Sequence, residues 1–237
     1  TTDLKVGDHV MAIVVPYGSY GAYSEQIVVP AESVARVPAG ASDVEAATLP
    51  MNGLTTRLAL DLLGLRPGQT LAVTGAAGAV GGYAVQLAKA EGLTVVADAS
   101  PADEKLVAEL GADVVLPRGE GFPAAVREAV PDGVDAVIDS ALLNDLMVPA
   151  VRDGGTIATL RGYAGEAERG ITFVPVWVRE YAREQAKLDQ LRRQAEEGAV
   201  TLRVARTFPA EQAAEAHRVL EAGGTRGRLV LEFRHRA

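Results

Sequence analysis

The sequence predicts an α/β fold with a doubly wound parallel sheet, accompanied by a smaller β-rich part. From Leu71 to about Val178, apolar strand-like runs alternate with helical patterns, which is typical of parallel strands joined by right-handed crossovers. A glycine-rich run, Gly75 to Gly81, lies directly between the first of these strands and the helix after it. Residues 1–37 read instead as short strands separated by Gly, Pro and Ser.

The elements follow in chain order from local patterns. The β-rich part has strand-like runs at His9–Val15, Tyr23–Val29 and Ser33–Val37, followed by helical segments at Val44–Leu49 and Leu54–Leu63. In the alternating region we predict strands at 71–75, 93–98, 113–116, 134–139, 155–160 and 171–177. Beyond it we predict a helix over 178–197, a strand over Leu202–Arg206, a helix over Pro209–Ala222 and a strand over Arg228–Phe233.

Turn and cap residues support these bounds. Ser100-Pro101 supplies an N-cap and a proline at the first helical position, and Gly111 ends that helix. Asp153-Gly154 makes the turn into the fifth strand of the alternating region. Apolar residues at helical spacing after Val178 stop at Gly198.

Composition excludes several classes of function. The 237 residues carry a net charge of −8 and no basic block, which argues against nucleic acid or an anionic membrane as partner. The absence of cysteine excludes disulfides, a thiol nucleophile and any cysteine-ligated metal. The three histidines, His9, His217 and His235, lack metal-ligand spacing. No apolar run reaches transmembrane length and the first residues do not resemble a signal peptide, so a cytoplasmic protein is expected.

The glycine-rich run predicts a binding site for a dinucleotide. Gly75 allows a tight turn, Gly78 lets phosphates approach the backbone, and Gly81 lets the helix pack on the sheet. The helix N-terminus then offers unpaired N–H groups to a pyrophosphate. Asp98 ends the next strand about 20 residues further on, where a ribose-binding residue is expected. A purely structural strand–helix turn is the alternative.

Five motifs in order resemble the medium-chain dehydrogenase/reductase superfamily, and within it the zinc-independent quinone oxidoreductases. Those motifs are Lys5–Val10 (KxGDxV), Gly18–Pro30 (GxYAEYxVVP), Leu49–Thr55 (LPxxGLT), Gly75–Gly81 (GAAGGVG, with Ala79 for a glycine) and Gly227–Leu231 (GKxVL). The resemblance covers essentially the whole chain. It implies a partial GroES-like catalytic domain over 1–50, a Rossmann-type domain over 51–180 and a segment over 181–237 that returns to the catalytic domain.

The family's chain begins with barrel strands and a GxExxG segment that have no counterpart in this sequence. We therefore expect an N-terminal piece to be missing, disordered or supplied by another chain. Active-site residues normally furnished by that piece are not identifiable, so the catalytic residues are unknown.

The resemblance also implies the cofactor-binding residues. The pyrophosphate would be lined by Gly75, Ala76, Ala77, Gly78, Ala79, Val80 and Gly81. The nicotinamide would be bordered by Asn52, Thr55, Ser140, Leu142, Leu160, Arg161 and Gly162. Purely structural alternatives are a helix cap for Thr55, turns for Ser140 and Gly162, and a surface position for Arg161.

The end of the second strand favours NADPH, with NADH left open. A carboxylate at the strand tip would bind both ribose hydroxyls and repel a 2′-phosphate. Asp98 lies one position before the usual acid, whose place is taken by Ala99, and Ser100 follows. Lys105 or Arg118 could supply positive charge, whereas Pro117 replaces a tyrosine often found beside the phosphate.

Zinc is not expected, because Asn52 stands where zinc-dependent relatives have a ligand cysteine. Without a Lewis acid, a quinone or an α,β-unsaturated carbonyl compound is the expected hydride acceptor. The proton would come from water or from Tyr17, Tyr20, Tyr23 or Tyr163. Alternatives are an enoyl-thioester reductase and a non-catalytic NAD(P)H-binding sensor or structural protein.

The apolar run Ile171–Val178 predicts the last strand of the parallel sheet. A bare edge strand invites pairing with another chain, and in the family this edge joins two sheets in a homodimer. Pro175 lacks a donor N–H and must sit where that group would point away from the partner. In the alternative, the helix over 178–197 covers the edge and leaves a monomer.

Overall fold

A computed structural model describes residues 3–18, 20–166 and 168–233. His235, and Ser19 within the second motif, lie outside the described residues. The strands are β1 (Val10–Ala12), β2 (Val34–Arg36), β3 (Thr70–Thr74), β4 (Thr94–Ala99), β5 (Val114–Pro117), β6 (Val134–Asp139), β7 (Val151–Thr159), β8 (Thr172–Pro175), β9 (Val204–Pro209) and β10 (Arg228–Glu232). The α-helices are α1 (Asp43–Ala46), α2 (Leu49–Leu63), α3 (Ala79–Ala90), α4 (Glu104–Glu109), α5 (Phe122–Ala129), α6 (Gln185–Glu196) and α7 (Ala213–Glu221).

The chain forms two compact units. The first contains the described residues up to Leu54 and those from Val178 onwards, and the second is Thr55–Trp177. The division falls within α2, so the first turns of that helix belong to the first unit. The domain boundaries predicted from the sequence, after residues 50 and 180, stay a prediction.

The second unit is built on a six-stranded sheet in the order β5-β4-β3-β6-β7-β8, with every pair parallel. The consecutive residues Leu71, Ala72 and Val73 of β3 are all fully buried. Successive side chains of a strand point to opposite faces, so both faces of the sheet are covered. The predicted α/β class with a doubly wound parallel sheet is therefore confirmed.

The core of this unit lies between the central strands and the elements that follow β5 and β6. Phe122 and Val126 of α5 pack with Val137 of β6 and with Met147, which lies in the 3₁₀ segment Asn144–Ala150. The continuous apolar character of the central strands thus reflects burial on two faces rather than an alternating, half-exposed sheet.

The first unit contains two small sheets. Strands β1 and β2 pair antiparallel, whereas β9 and β10 pair parallel. Two side-chain bonds link β2 and the residue before it to the segment around α6. The Gln185 amide donates to the Val34 carbonyl at 2.9 Å, and Ser33 Oγ donates to the Ala182 carbonyl at 2.6 Å. Among the described residues, no helix has the length and apolarity needed to cross a membrane.

One predicted strand is wrong, and two predicted helices begin later than expected. The predicted strand Tyr23–Val29 is wrong, because that segment pairs with no strand among the described residues and exposes Tyr23 and Val28. Tyrosine, isoleucine and valine favour extended backbone, but a strand also needs a hydrogen-bonded neighbour. The helix predicted from 178 begins as the 3₁₀ turn Val178–Tyr181, with the α-helix starting at Gln185, and the helix predicted from Pro209 starts at Ala213.

Candidate functional site

The order of strands in the second unit creates a crevice between β3 and β6. From β3 the chain proceeds through β4 and β5 on one side, and from β6 it proceeds through β7 and β8 on the other. The connections after β3 and β6 therefore lead in opposite directions. Ligands of doubly wound sheets bind outside the carboxyl ends of the strands at this reversal. Thr74 and Asp139 are the paired last residues of the two strands.

The glycine-rich loop begins at the carboxyl end of β3. Gly75 has φ +65°, a left-handed conformation that L side chains rarely adopt, and an added Cβ would lie 2.7 Å from Ser140 Oγ. The Gly78 N–H donates to the Gly75 carbonyl at 2.9 Å and closes the turn. Helix α3 then begins, with Gly78 as its N-cap. Sequence and geometry thus agree on a tight turn that delivers a helix N-terminus to the crevice.

Gly81 packs the first turn of α3 directly on this loop. An added Cβ would lie 2.2 Å from the Gly75 carbonyl oxygen and 2.8 Å from Ala76 Cα, and both contacts are with backbone. The first α-helical bond of α3 runs from the Gly82 N–H to the Gly78 carbonyl at 3.0 Å. The N–H groups of Ala79 and Val80 consequently have no intrahelical acceptor and are available to an anion.

Asp98 lies beneath the loop rather than on an open ribose-facing edge. Its carboxylate is buried, and Oδ1 accepts the Ala76 N–H at 2.9 Å. The sequence had singled out this residue as a ribose ligand, whereas the structure shows it in contact with the glycine-rich loop itself. Its observed contact is therefore a bond that fixes the loop backbone.

A buried network at the ends of β3 and β6 was not anticipated from the sequence. The fully buried Asp139 carboxylate accepts the Thr74 hydroxyl at 2.6 Å and the N–H groups of Leu143 and Asn144 at 3.1 and 2.7 Å. Thr74 Oγ1 in turn accepts the Ala141 N–H at 2.9 Å. A carboxylate ending an apolar strand was the available signal, because such a group must find hydrogen-bond donors when buried.

The Ser140 side chain joins the same two loops. Its hydroxyl donates to the Thr74 carbonyl, next to the position that a Cβ on Gly75 would occupy. The Ser140 hydroxyl thus bonds to the end of β3. This contact fits the structural alternative for Ser140, a role in the turn.

The connections after β6 and β7 contain unusual backbone. Leu142, Asn144 and Arg161 have φ values of 62°, 52° and 59°, and they are three of the four non-glycine residues with positive φ in the described part of the chain. Gly162 has φ +75°, and an added Cβ would lie 2.2 Å from the Trp177 ring. The candidate residues after β6 and β7 therefore lie on loops whose conformation is tightly specified.

The residues around the end of β4 form the candidate phosphate-selecting edge. Ser100 Oγ donates to Asp103 Oδ2 at 2.5 Å, which engages its only proton. The Arg118 N–H donates to the Ala99 carbonyl at 2.9 Å, so Arg118 follows β5 directly beside the end of β4. Lys105 lies 3.7 Å from Glu109 in an exposed ion pair.

Asn52 belongs to the first unit and Thr55 to the second. Asn52 is 3% exposed, and its Oδ1 accepts from Arg228 at 3.1 Å, while its Nδ2 finds no partner among the described residues. Thr55 lies inside α2, which begins at Leu49, so the helix-cap alternative for Thr55 is wrong. Among the residues that the structure describes, no group of three His, Asp or Glu side chains could hold a metal ion.

The four candidate tyrosines have different surroundings. In the first unit, Tyr20 donates to the Val28 carbonyl, Tyr23 Oη lies 2.9 Å from His217 Nε2, and Tyr17 is largely exposed. In the second unit, the Tyr163 hydroxyl donates to Asp145.

Comparison with known proteins identifies the family. The family model described as zinc-binding dehydrogenase matches residues 110–231, just over half of the chain. An alcohol dehydrogenase of Geobacillus stearothermophilus is 36% identical over 148 residues, which is 61% of this chain and 43% of that protein. The chain thus spans less than half of that relative.

Two longer matches extend over nearly the whole chain. A Schizosaccharomyces pombe protein named "Probable quinone oxidoreductase" is 26% identical over 246 residues, covering 97% of this chain and 74% of that protein. The structure of a mycobacterial protein complexed with NADPH superposes with a TM-score of 0.85 at 28% identity, covering 97% of this chain and 76% of that one. Together with the parallel sheet and its glycine-rich loop, these matches show that the chain belongs to the zinc-binding dehydrogenase family of the medium-chain dehydrogenase/reductase superfamily.

Proposed function

We propose that the chain is an oxidoreductase that transfers hydride from NADPH to a quinone or an α,β-unsaturated carbonyl compound without zinc. The observation that carries this proposal is the strand–glycine–helix unit at the reversal of the sheet, where Gly75 and Gly81 leave no room for a Cβ. The family membership and the NADPH complex of the mycobacterial relative support the same cofactor class.

The residues present fit a nicotinamide dinucleotide. The free N–H groups of Ala79 and Val80 would bind the pyrophosphate, aided by the positive end of the α3 dipole. Asp98 would orient the loop through Ala76, and the loops after β6 and β7 would border the nicotinamide. When bound, the cofactor supplies the hydride, so the protein's task is to orient the reactants and exclude water.

Two features of the β4 edge favour NADPH over NADH. The Asp98 carboxylate is buried and bonded to Ala76, so it is not presented to repel a 2′-phosphate. The Arg118 backbone lies beside Ala99 and the residue is exposed, so its guanidinium is a candidate partner for that phosphate. Ser100 contributes less, because its proton is donated to Asp103.

This preference is tested by measuring the NADPH and NADH affinities of Arg118→Ala. Lys105→Ala is the matched control, because it also removes a positive charge from this edge. We expect Arg118→Ala to weaken NADPH binding roughly tenfold, because the variant loses an exposed charge-assisted bond to the 2′-phosphate. NADH binding should be unchanged, because NADH has no 2′-phosphate. Lys105→Ala should change neither affinity appreciably, because Lys105 is paired with Glu109. Equal weakening of NADH and NADPH would contradict the assignment of Arg118.

The absence of zinc is proposed from Asn52, which replaces a ligand cysteine and is bonded through its amide oxygen to Arg228. A neutral amide is a poor zinc ligand compared with a thiolate. A conjugated acceptor delocalises the incoming electron pair itself, so it does not require a Lewis acid.

The reaction is tested by following loss of NADPH absorbance with a panel of quinones, enones, enoyl thioesters and simple aldehydes, with and without a chelator. We expect turnover of quinones or enones that the chelator leaves unchanged. Preferential turnover of enoyl thioesters would support the alternative reductase. NADPH binding without turnover of any acceptor would support a non-catalytic binding protein, and chelator-sensitive aldehyde reduction would overturn the metal-free proposal.

We also propose that β8 pairs with a second copy of the chain in a homodimer. In the described residues β8 pairs only with β7 and therefore forms one edge of the six-stranded sheet. Its outer backbone groups form a template for strand pairing.

A further inference from the structure

A side-chain hydrogen bond joins the loops that follow β6 and β7. The Tyr163 hydroxyl donates to the carboxylate of Asp145. Tyr163 follows β7, and Asp145 lies in the 3₁₀ segment that follows β6. We call this pair the Tyr163–Asp145 latch. The bond joins residues that are 18 positions apart, at the carboxyl ends of the strands, where the candidate nicotinamide-bordering residues lie.

Both ends of the latch are fixed by other contacts. The Tyr163 ring packs edge-on against Phe173 of β8, with ring centroids 5.6 Å apart, and its carbonyl accepts the Thr159 hydroxyl at 2.6 Å. An added Cβ on Gly165 would lie 2.6 Å from Asp145 Oδ1, so the chain beyond Tyr163 also packs against the carboxylate. Removing the Tyr163 hydroxyl would thus open the link while leaving the ring and backbone contacts in place.

The loops that the latch joins contain the left-handed residues described above. Leu142 and Asn144 precede Asp145, and Arg161 precedes Tyr163 by two positions. Left-handed backbone at non-glycine residues persists only where surrounding contacts over-determine it, and it concentrates at ligand clamps. The buried Asp139 fixes the base of the first loop through Leu143 and Asn144. The latch supplies the corresponding contact further along that loop.

We propose that the Tyr163–Asp145 latch preorganises residues 140–146 and 160–166 for the nicotinamide end of the cofactor, so that Tyr163 is a positioning residue and not the proton donor. This inference rests on the proposed function. The hydrogen bond to Asp145 raises the pKa of the Tyr163 hydroxyl above its usual value, which makes it a weaker acid. A proton donor would gain from the opposite shift.

The test compares Tyr163→Phe, Asp145→Ala, the double variant and Asp145→Asn, which keeps an acceptor. NADPH affinity is measured by fluorescence titration and loop order by hydrogen exchange of the ligand-free protein. We expect each of the first two variants to raise the Kd for NADPH about threefold to tenfold and to accelerate exchange in both loops. The double variant should add nothing further, and Asp145→Asn should be intermediate. The pH profile of kcat at saturating NADPH should keep its shape in all four variants, because a positioning residue does not supply the transferred proton.

Unchanged NADPH affinity in Tyr163→Phe would overturn the proposal, even if exchange increased. A loss of kcat with a changed pH profile in Tyr163→Phe but not in Asp145→Ala would overturn it by identifying Tyr163 as a proton donor. Failure of the proposed function is detected separately. If the wild-type protein bound NADPH without reducing any acceptor, the affinity and exchange measurements would still decide the latch. If it bound neither NADPH nor NADH, both proposals would fall.

Discussion

Replacing Gly81 by alanine adds one methyl group at the point where α3 meets the glycine-rich loop. The added Cβ would lie 2.2 Å from the Gly75 carbonyl oxygen, 2.7 Å from the Gly75 carbonyl carbon and 2.8 Å from Ala76 Cα. Restoring ordinary contact distances requires the loop or the helix to move by roughly 1 Å. All three atoms belong to the backbone, so no side-chain rotation can relieve the clash.

The change should harm cofactor binding more than folding. Overpacking costs about 1–3 kcal/mol, whereas alanine in place of helical glycine gains about 1 kcal/mol, so the free energy of unfolding should fall by roughly 0–2 kcal/mol. The same displacement would lengthen the 2.9 Å bond from Ala76 to Asp98 and misalign the N–H groups proposed to bind the pyrophosphate. Losing one or more charge-assisted bonds should weaken NADPH binding by about tenfold to a hundredfold.

Two further glycines give a graded comparison. Gly78 has φ −74°, and an added Cβ would meet only the Gly75 oxygen, at 3.0 Å, so Gly78→Ala should be intermediate. Gly121 caps α5 and has open space around an added Cβ, so Gly121→Ala controls for the substitution itself. NADPH affinity is measured by fluorescence titration and stability by urea unfolding. Wild-type NADPH affinity in Gly81→Ala would refute the reasoning about the loop.

Three other predictions concern stability and assembly. Arg161→Gly should raise the free energy of unfolding, measured by urea denaturation, by roughly 0.5 kcal/mol. Relief of left-handed strain at Arg161 (about 1–2 kcal/mol) outweighs the added freedom of glycine in the unfolded chain. A less stable variant would contradict this reasoning. Burial alone would raise the pKa of Asp135, but bonds from the Thr70 N–H, Arg152 and Gln69 lower it below the ordinary value of 3.8. The stabilisation is therefore present above pH 3.8 and lost as the pH falls through the lowered pKa. The wild-type protein should be more stable than Asp135→Asn near neutral pH, and the two stabilities should converge in acid. A stability difference that does not depend on pH would contradict the assignment. Light scattering at micromolar concentration should give the mass of two chains, whereas one chain's mass would contradict pairing through β8.

The sequence predicted the features that depend on neighbouring residues. The parallel strands and the glycine-rich turn were recognisable because apolar runs, glycines and caps lie close together along the chain. Residues 23–29 show the limit of this reasoning, since their strand-forming side chains carry no information about a pairing partner.

The side-chain network of the candidate site depends on distant residues and was not predicted. Thr74 and Asp139 are 65 positions apart, and Ala76 and Asp98 are 22 apart. Their contacts arise only when parallel strands bring their carboxyl ends together, so no local pattern could indicate them. The Tyr163 hydroxyl was identified as a candidate acid, but its bond to Asp145 became apparent only from the arrangement of two loops.

The bond between Asp98 and Ala76 affects how cofactor preference in this chain can be redesigned. An engineer seeking to change the proposed NADPH preference to NADH would ordinarily alter the acidic position near the tip of the second parallel strand. Here that substitution would remove the support of the pyrophosphate loop, and both cofactors would be lost together. Such a result would be misread as evidence for ribose recognition. Redesign should instead leave Asp98 intact and vary Ala99, Ser100 and Arg118, whose side chains are not bonded to the loop backbone in the described structure.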